Sequence, residues 1–141
     1  IETMPLGAIE EDRADRFVPL TRVFERLAER FDLSRDTRTT GGPARYWRVG
    51  ASDTRLGLIS PLTANFCDGC NRVRLTTEGK LYACLGHDAQ VDLKAALRGS
   101  GVAGLDAAID HALAIKPARH AFAIGRGSPP ALARHMSVTG G

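Results

Sequence analysis

Three cysteines are the residues best placed to do chemistry, and all lie within one stretch, "NFCDGCNRVRLTTEGKLYACLGH", residues 65–87. Cys67 and Cys70 are separated by two residues, and Cys84 follows after thirteen more. A CxxC turn aims both sulfurs inward, so that they grip one ion or one cluster. Three clustered cysteines without partners elsewhere do not make a disulfide scaffold; they suit metal chemistry in a reducing compartment. Two metals compete. With His87 the spacing becomes C-x2-C-x13-C-x2-H, a Cys3His zinc ribbon whose basic neighbours would touch nucleic-acid phosphate. The alternative is an iron–sulfur cluster with three cysteine ligands and one open iron. Arg72 and Arg74, just after Cys70, then suit a phosphorylated ligand. On residue chemistry these readings stand level. A redox dithiol ranks third, because no helix start follows to lower a thiol's pKa.

The elements around this stretch must bring Cys84 back to Cys67 and Cys70. "RVRLT" and "LYAC" read as a hairpin about Thr77–Lys80, with Gly79 suited to a positive φ. Alternation places Arg72 and Arg74 on one strand face and Val73 and Leu75 on the other. Upstream, "IETMP" reads as a strand and "EEDRADRF" as a polar loop or short helical turn. Leu20, Val23, Phe24, Leu27 and Phe31 form a helical stripe, with Pro19 at the first helical position. Residues 32–43 read as a loop, and "ARYWRV" and "TRLGLIS" as two strands around Gly50–Asp53. Downstream, "VDLKAALR" is expected to be a short helix stopped at Gly99. A second helix carries Leu105, Ala108, Ile109, Ala112 and Leu113 and ends before Pro117. The tail from Ala118 shows little periodicity.

At 141 residues, 43% hydrophobic and 25% charged, the chain has the composition of a folded soluble protein with one domain or part of one. No apolar run approaches the ~20 residues of a membrane span and no signal-peptide pattern opens the sequence, so a cytoplasmic protein is expected. The net charge is +3, and 16 of the 19 basic residues are arginine, a bias read as compositional habit for the scattered ones. The sequence opens at Ile1 in what reads as mid-strand, which suggests the C-terminal piece of something longer.

The segment "GLISPLTANFCDGCNRVRLTTEGKLYACLG" closely resembles the C-terminal part of the GTP 3′,8-cyclase family, radical S-adenosylmethionine (SAM) enzymes of molybdenum cofactor biosynthesis. "IETMP", "KPARHAF" and the ending "MSVTGG" are similar to the same family. The resemblance implies an α/β fold: the end of an incomplete TIM-type radical SAM barrel over residues 1–43, and an antiparallel-strand and helix region with a cluster over 44–141. It implies that Cys67, Cys70 and Cys84 hold a 4Fe–4S cluster whose open iron meets the guanine of GTP. Arg72, Val73 and Arg74 would match the GTP-binding "RVR" stretch. Met4 would contact SAM, and Gly140 and Gly141 would be the double-glycine tail that reaches the active site. His87 becomes a bystander. The family's CxxxCxxC, which holds the SAM-cleaving second 4Fe–4S cluster, is absent here, so this segment alone should be inactive. The resemblance further implies a lyase that converts GTP to 3′,8-cyclo-7,8-dihydro-GTP. By the same resemblance it would be a homodimer when full-length, act upstream of cyclic pyranopterin monophosphate synthase, and have neither membrane nor nucleic acid as partner.

Overall fold

Residues 1–139 are described by a computed structural model in which the chain alternates between two compact units. The first unit comprises residues 1–4, 11–66 and 124–127; the second comprises 5–10, 67–123 and 128–139.

In the first unit, helix α1 (Arg13–Arg16) begins at Asp12. The Asp12 carboxylate accepts the Ala14 N–H at 2.9 Å and the Gly127 N–H at 2.8 Å. Helix α2 spans Leu20–Ala28, one residue later than the expected start, because Pro19 is extended and serves as the N-cap. Proline has no side-chain acceptor to cap the helix, and Glu2 supplies one: its Oε1 accepts the Leu20 N–H at 3.1 Å. Phe31, expected on the apolar stripe, lies beyond the helix and is 49% exposed. Strands β1 (Leu33–Arg35), β2 (Arg45–Val49) and β3 (Arg55–Leu58) form an antiparallel sheet in chain order. The β2–β3 hairpin falls where the turn at Gly50–Asp53 predicts it, with Trp47 opposite Leu56. β1 corrects the loop expected over 32–43: Leu-Ser-Arg has no alternation of its own and is defined by its pairing with β2. The Phe24 ring packs on Trp47 with centroids 5.0 Å apart. "IETMP" forms no strand; Glu2 N–H donates to the Ile59 carbonyl at 3.0 Å without a ladder forming.

The second unit holds the other antiparallel sheet, β4 (Arg74–Leu75), β5 (Lys80–Tyr82) and β6 (Gln90–Asp92), again in chain order. The expected hairpin is present, with Arg74 opposite Tyr82 and Leu75 opposite Leu81. Gly79 has φ +84°, and a Cβ there would lie 2.7 Å from Lys94 Cβ. Its carbonyl accepts the N–H groups of Leu93 and Lys94 at 2.9 and 3.3 Å, so the hairpin turn caps the following helix. That helix, α3 (Leu93–Ala114), starts at Asp92, whose carboxylate accepts the Ala95 N–H at 2.8 Å. It is two helices joined at a kink at Ser100 and Gly101 (φ 63°, ψ −152°), so the break falls two residues after the expected stop at Gly99. α3 packs on β5 and β6, and its buried residue Ala112 joins a core containing Leu6, Leu81, Tyr82, Ala83 and Leu132. Leu113, expected on the same stripe, is exposed. Leu6 pairs with Leu132 in an isolated parallel bridge, and a 3-10 turn spans Met136–Thr139.

Candidate functional site

The cysteine stretch lies wholly in the second unit. Cys67 opens a 3-10 turn, Cys67–Gly69, which closes when the Cys70 N–H donates to the Cys67 carbonyl at 3.0 Å. Cys84 follows β5 directly after the buried Ala83. All three cysteines are free and half-buried. The Gly86 N–H donates to Cys84 Sγ at 3.4 Å, and Arg72 Nη2 lies 3.7 Å from Cys70 Sγ. Burial pushes the Cys70 thiol up. The Arg72 N–H, the Arg72 guanidinium and the Lys116 ammonium outweigh that effect and hold it below its ordinary range. The thiolate is thus favoured by neighbouring cations, without the helix start whose lack ranked a reactive thiol last.

Arg72 departs from its expected place. Only Arg74 and Leu75 form the strand, because the Arg72 carbonyl accepts from Lys116 Nζ at 2.7 Å instead of joining a ladder. Lys116 Nζ also donates to the Ala83 carbonyl at 2.5 Å. One ammonium thereby joins the segment after Cys70 to the residue before Cys84. Arg119, three positions on, sets its guanidinium 3.2 Å from Asp68 in the CxxC turn, and its carbonyl accepts from His87 Nε2 at 3.0 Å. Arg134 fixes the loop after Cys84: Nη1 meets Asp88 at 2.7 Å, and Nη2 donates to the carbonyls of Leu85 and His87 at 3.0 and 2.7 Å. Its guanidinium lies 4.4 Å from the Tyr82 ring centroid.

Cys67, Cys70, Arg72, Val73, Arg74 and Cys84 therefore share one unit, with Val73 exposed and the Arg74 guanidinium free of ion pairs among the described residues. Met4 is half-buried in the first unit. Gly140 and Gly141 lie outside the described residues. His87 is engaged with Arg119, and no three His, Cys, Asp or Glu side chains among the described residues gather as a single metal ion requires. The zinc ribbon finds no support in this arrangement. Sequence reasoning missed Lys116, Arg119 and Arg134. They act on backbone atoms 33 or more residues away or on loops set by the fold, and no spacing rule reveals such contacts. The first unit also has a cavity of about 500 Å³ beside α2 and its sheet, lined by Phe24, Trp47, Leu58, Arg35 and Arg45 among others.

Fold and site together define a mixed α/β protein with two small antiparallel sheets, one of which displays a cation-flanked three-cysteine hairpin. A family model described as Molybdenum Cofactor Synthesis C matches residues 1–122, and the chain belongs to that family. A protein of Erythrobacter litoralis named GTP 3′,8-cyclase is 56% identical over 142 residues, covering all of this chain and 43% of the relative. Proteins of the same name from Agrobacterium fabrum and Nitrobacter hamburgensis are 55% and 48% identical over 143 and 142 residues, covering all of this chain and 41% of each relative. The chain thus spans about two fifths of the length of these relatives. No solved structure matches it.

Proposed function

We propose that this chain is the C-terminal, substrate-holding part of a GTP 3′,8-cyclase, a lyase that with SAM makes 3′,8-cyclo-7,8-dihydro-GTP for molybdenum cofactor biosynthesis. The observation that carries this reading is the donor set itself: three free cysteines on one hairpin with arginines beside them, in a chain whose relatives bear that enzyme's name. Cys67, Cys70 and Cys84 would hold a 4Fe–4S cluster. The donor chemistry fits: the thiols are unpaired, and cations favour the thiolate at Cys70. A zinc ion draws its ligands to about 2.0–2.3 Å from one centre. The cysteines of a cluster instead bind separate irons, and the absence of a tight single-ion set does not weigh against them. When bound, a cluster with three protein ligands supplies one iron with an open coordination position, available to the base of the substrate.

The protein's own residues then act by positioning. Arg72 and Arg74 grip the triphosphate through charge-assisted hydrogen bonds, and Val73 keeps them in register. Holding both ends of the nucleotide raises the effective concentration of the reacting carbons. Residues 1–43 would be the end of the radical SAM barrel, with Met4 against SAM, and residues 44–141 the cluster and GTP region, ending in Gly140 and Gly141. The remainder of the full-length enzyme would carry the second 4Fe–4S cluster. A cytoplasmic homodimer that passes its product toward cyclic pyranopterin monophosphate synthase completes the reading.

Anaerobic reconstitution of the full-length protein tests it. The protein should be brown and bind GTP, and Cys84→Ala should lose part of the iron and most of the GTP affinity. His87→Ala should keep both. Unchanged iron and GTP affinity in Cys84→Ala, together with one tight zinc released by His87→Ala, would overturn the proposal.

A further inference from the structure

Lys116 ends the connection from α3 in an unusual position for a lysine. It makes none of the ion pairs among the described residues, and its ammonium is aimed inward. It donates to the Arg72 carbonyl at 2.7 Å and the Ala83 carbonyl at 2.5 Å, both part-buried bonds, spanning 44 and 33 residues of sequence. Arg72 is two residues after Cys70, and Ala83, 1% exposed, immediately precedes Cys84. No other side chain bonds both cysteine-bearing segments among the described hydrogen bonds at this point; β4 and β5 pair only from Arg74 onward. A half-buried ammonium needs compensating acceptors. Two carbonyls answer that requirement, and they set the ammonium against the backbone two residues after Cys70 and one before Cys84, whose sulfurs become anionic when they bind iron.

We infer that Lys116 is a positioning residue for the three-cysteine set: its ammonium holds the segment after Cys70 against the end of β5, and its charge offsets that of the bound thiolates. The inference rests on the cluster reading above. Two consequences separate it from a purely structural role. Replacing the charge while keeping donors should matter for iron retention, and a cation near the sulfurs should raise the potential at which the cluster is reduced, since reduction adds negative charge. Arginine in this position retains both charge and donors; glutamine retains donors alone; methionine retains only length and apolar bulk.

The test uses the full-length protein, reconstituted anaerobically, with iron and sulfide measured per chain and the cluster titrated by electron paramagnetic resonance. Cys84→Ala sets the level for a lost C-terminal cluster. Lys116→Met is expected to fall to that level, Lys116→Gln to lie between it and wild type with a lowered reduction potential, and Lys116→Arg to approach wild type. Circular dichroism establishes that each variant folds; if Lys116→Met does not, the Arg–Gln comparison of iron content and potential decides alone. Equal iron and equal potential in Lys116→Gln and wild type would overturn the inference while leaving the cluster reading intact. If Cys84→Ala and wild type carry the same iron, the cluster reading itself fails.

Discussion

Glu2 is 2% exposed, and its carboxylate accepts four hydrogen bonds, three from backbone N–H groups and one from a hydroxyl. Oε1 takes the Leu20 N–H at 3.1 Å and the Thr63 hydroxyl; Oε2 takes the N–H groups of Leu62 and Thr63 at 2.9 and 3.0 Å. Burial pushes its pKa up, but the Thr63 hydroxyl and the three N–H groups outweigh burial and hold the carboxyl below its usual 4.5. Glutamine would turn one acceptor into a donor facing donors, which costs about 3 kcal/mol. Urea unfolding of Glu2→Gln at pH 7 should show that loss. The folded pKa is the depressed one, so this contribution is complete above the unfolded value near 4.5 and disappears as pH falls through the folded value. The stability gap between wild type and Glu2→Gln should therefore narrow at pH 3. An unchanged gap would mean that the carboxylate's charge contributes nothing.

The kink in α3 sets a sharper problem for an element. Gly101 combines φ 63° with ψ −152°, a conformation open essentially to glycine, while a Cβ at Gly101 would meet nothing within 4 Å. The same space is open at Gly99, which keeps helical backbone. Two glycine-to-alanine changes two residues apart should then act in opposite directions. Gly101→Ala should destabilise by roughly 1–3 kcal/mol, whereas Gly99→Ala should stabilise by up to about 1 kcal/mol. Matching thermal melts for the two variants would contradict the placement of the kink. The sequence signalled a break at Gly99, whereas the structure makes it at Ser100 and Gly101, because its position depends on where α3 leaves β5 and β6. The two hairpins were legible because turn residues and alternation agree there, at Gly50–Asp53 and at Gly79. The three-residue strands β1 and β6 were not, since Leu-Ser-Arg and Gln-Val-Asp become strands only through a partner. The cysteines of the candidate site were plain from their spacing, whereas Lys116 acts on carbonyls that only the tertiary fold brings near.

For the whole molecule, the proposed function asks one hairpin to serve both metal and nucleotide, and its two arginines offer a way to separate the tasks. A net charge of +3 spread over 141 residues is too weak a field to select a nucleotide, so selection must come from local contacts. Arg72 already touches Cys70 Sγ, whereas Arg74 lies on β4 with no ion pair among the described residues. In the full-length enzyme Arg74→Ala should weaken GTP binding by about 10- to 100-fold, the value of a charged hydrogen bond to phosphate, with iron unchanged. Arg72→Ala should reduce GTP affinity and iron content together, because it removes a cation from the sulfur as well as from the phosphate. Equilibrium dialysis with GTP and iron analysis on the same samples separate the two outcomes. The Arg74 effect should shrink as salt rises from 50 to 500 mM, roughly as screening shortens the reach of the charge. If both arginines changed iron content equally and GTP affinity not at all, the hairpin would be a metal site alone, and the nucleotide would have to be held elsewhere in the enzyme.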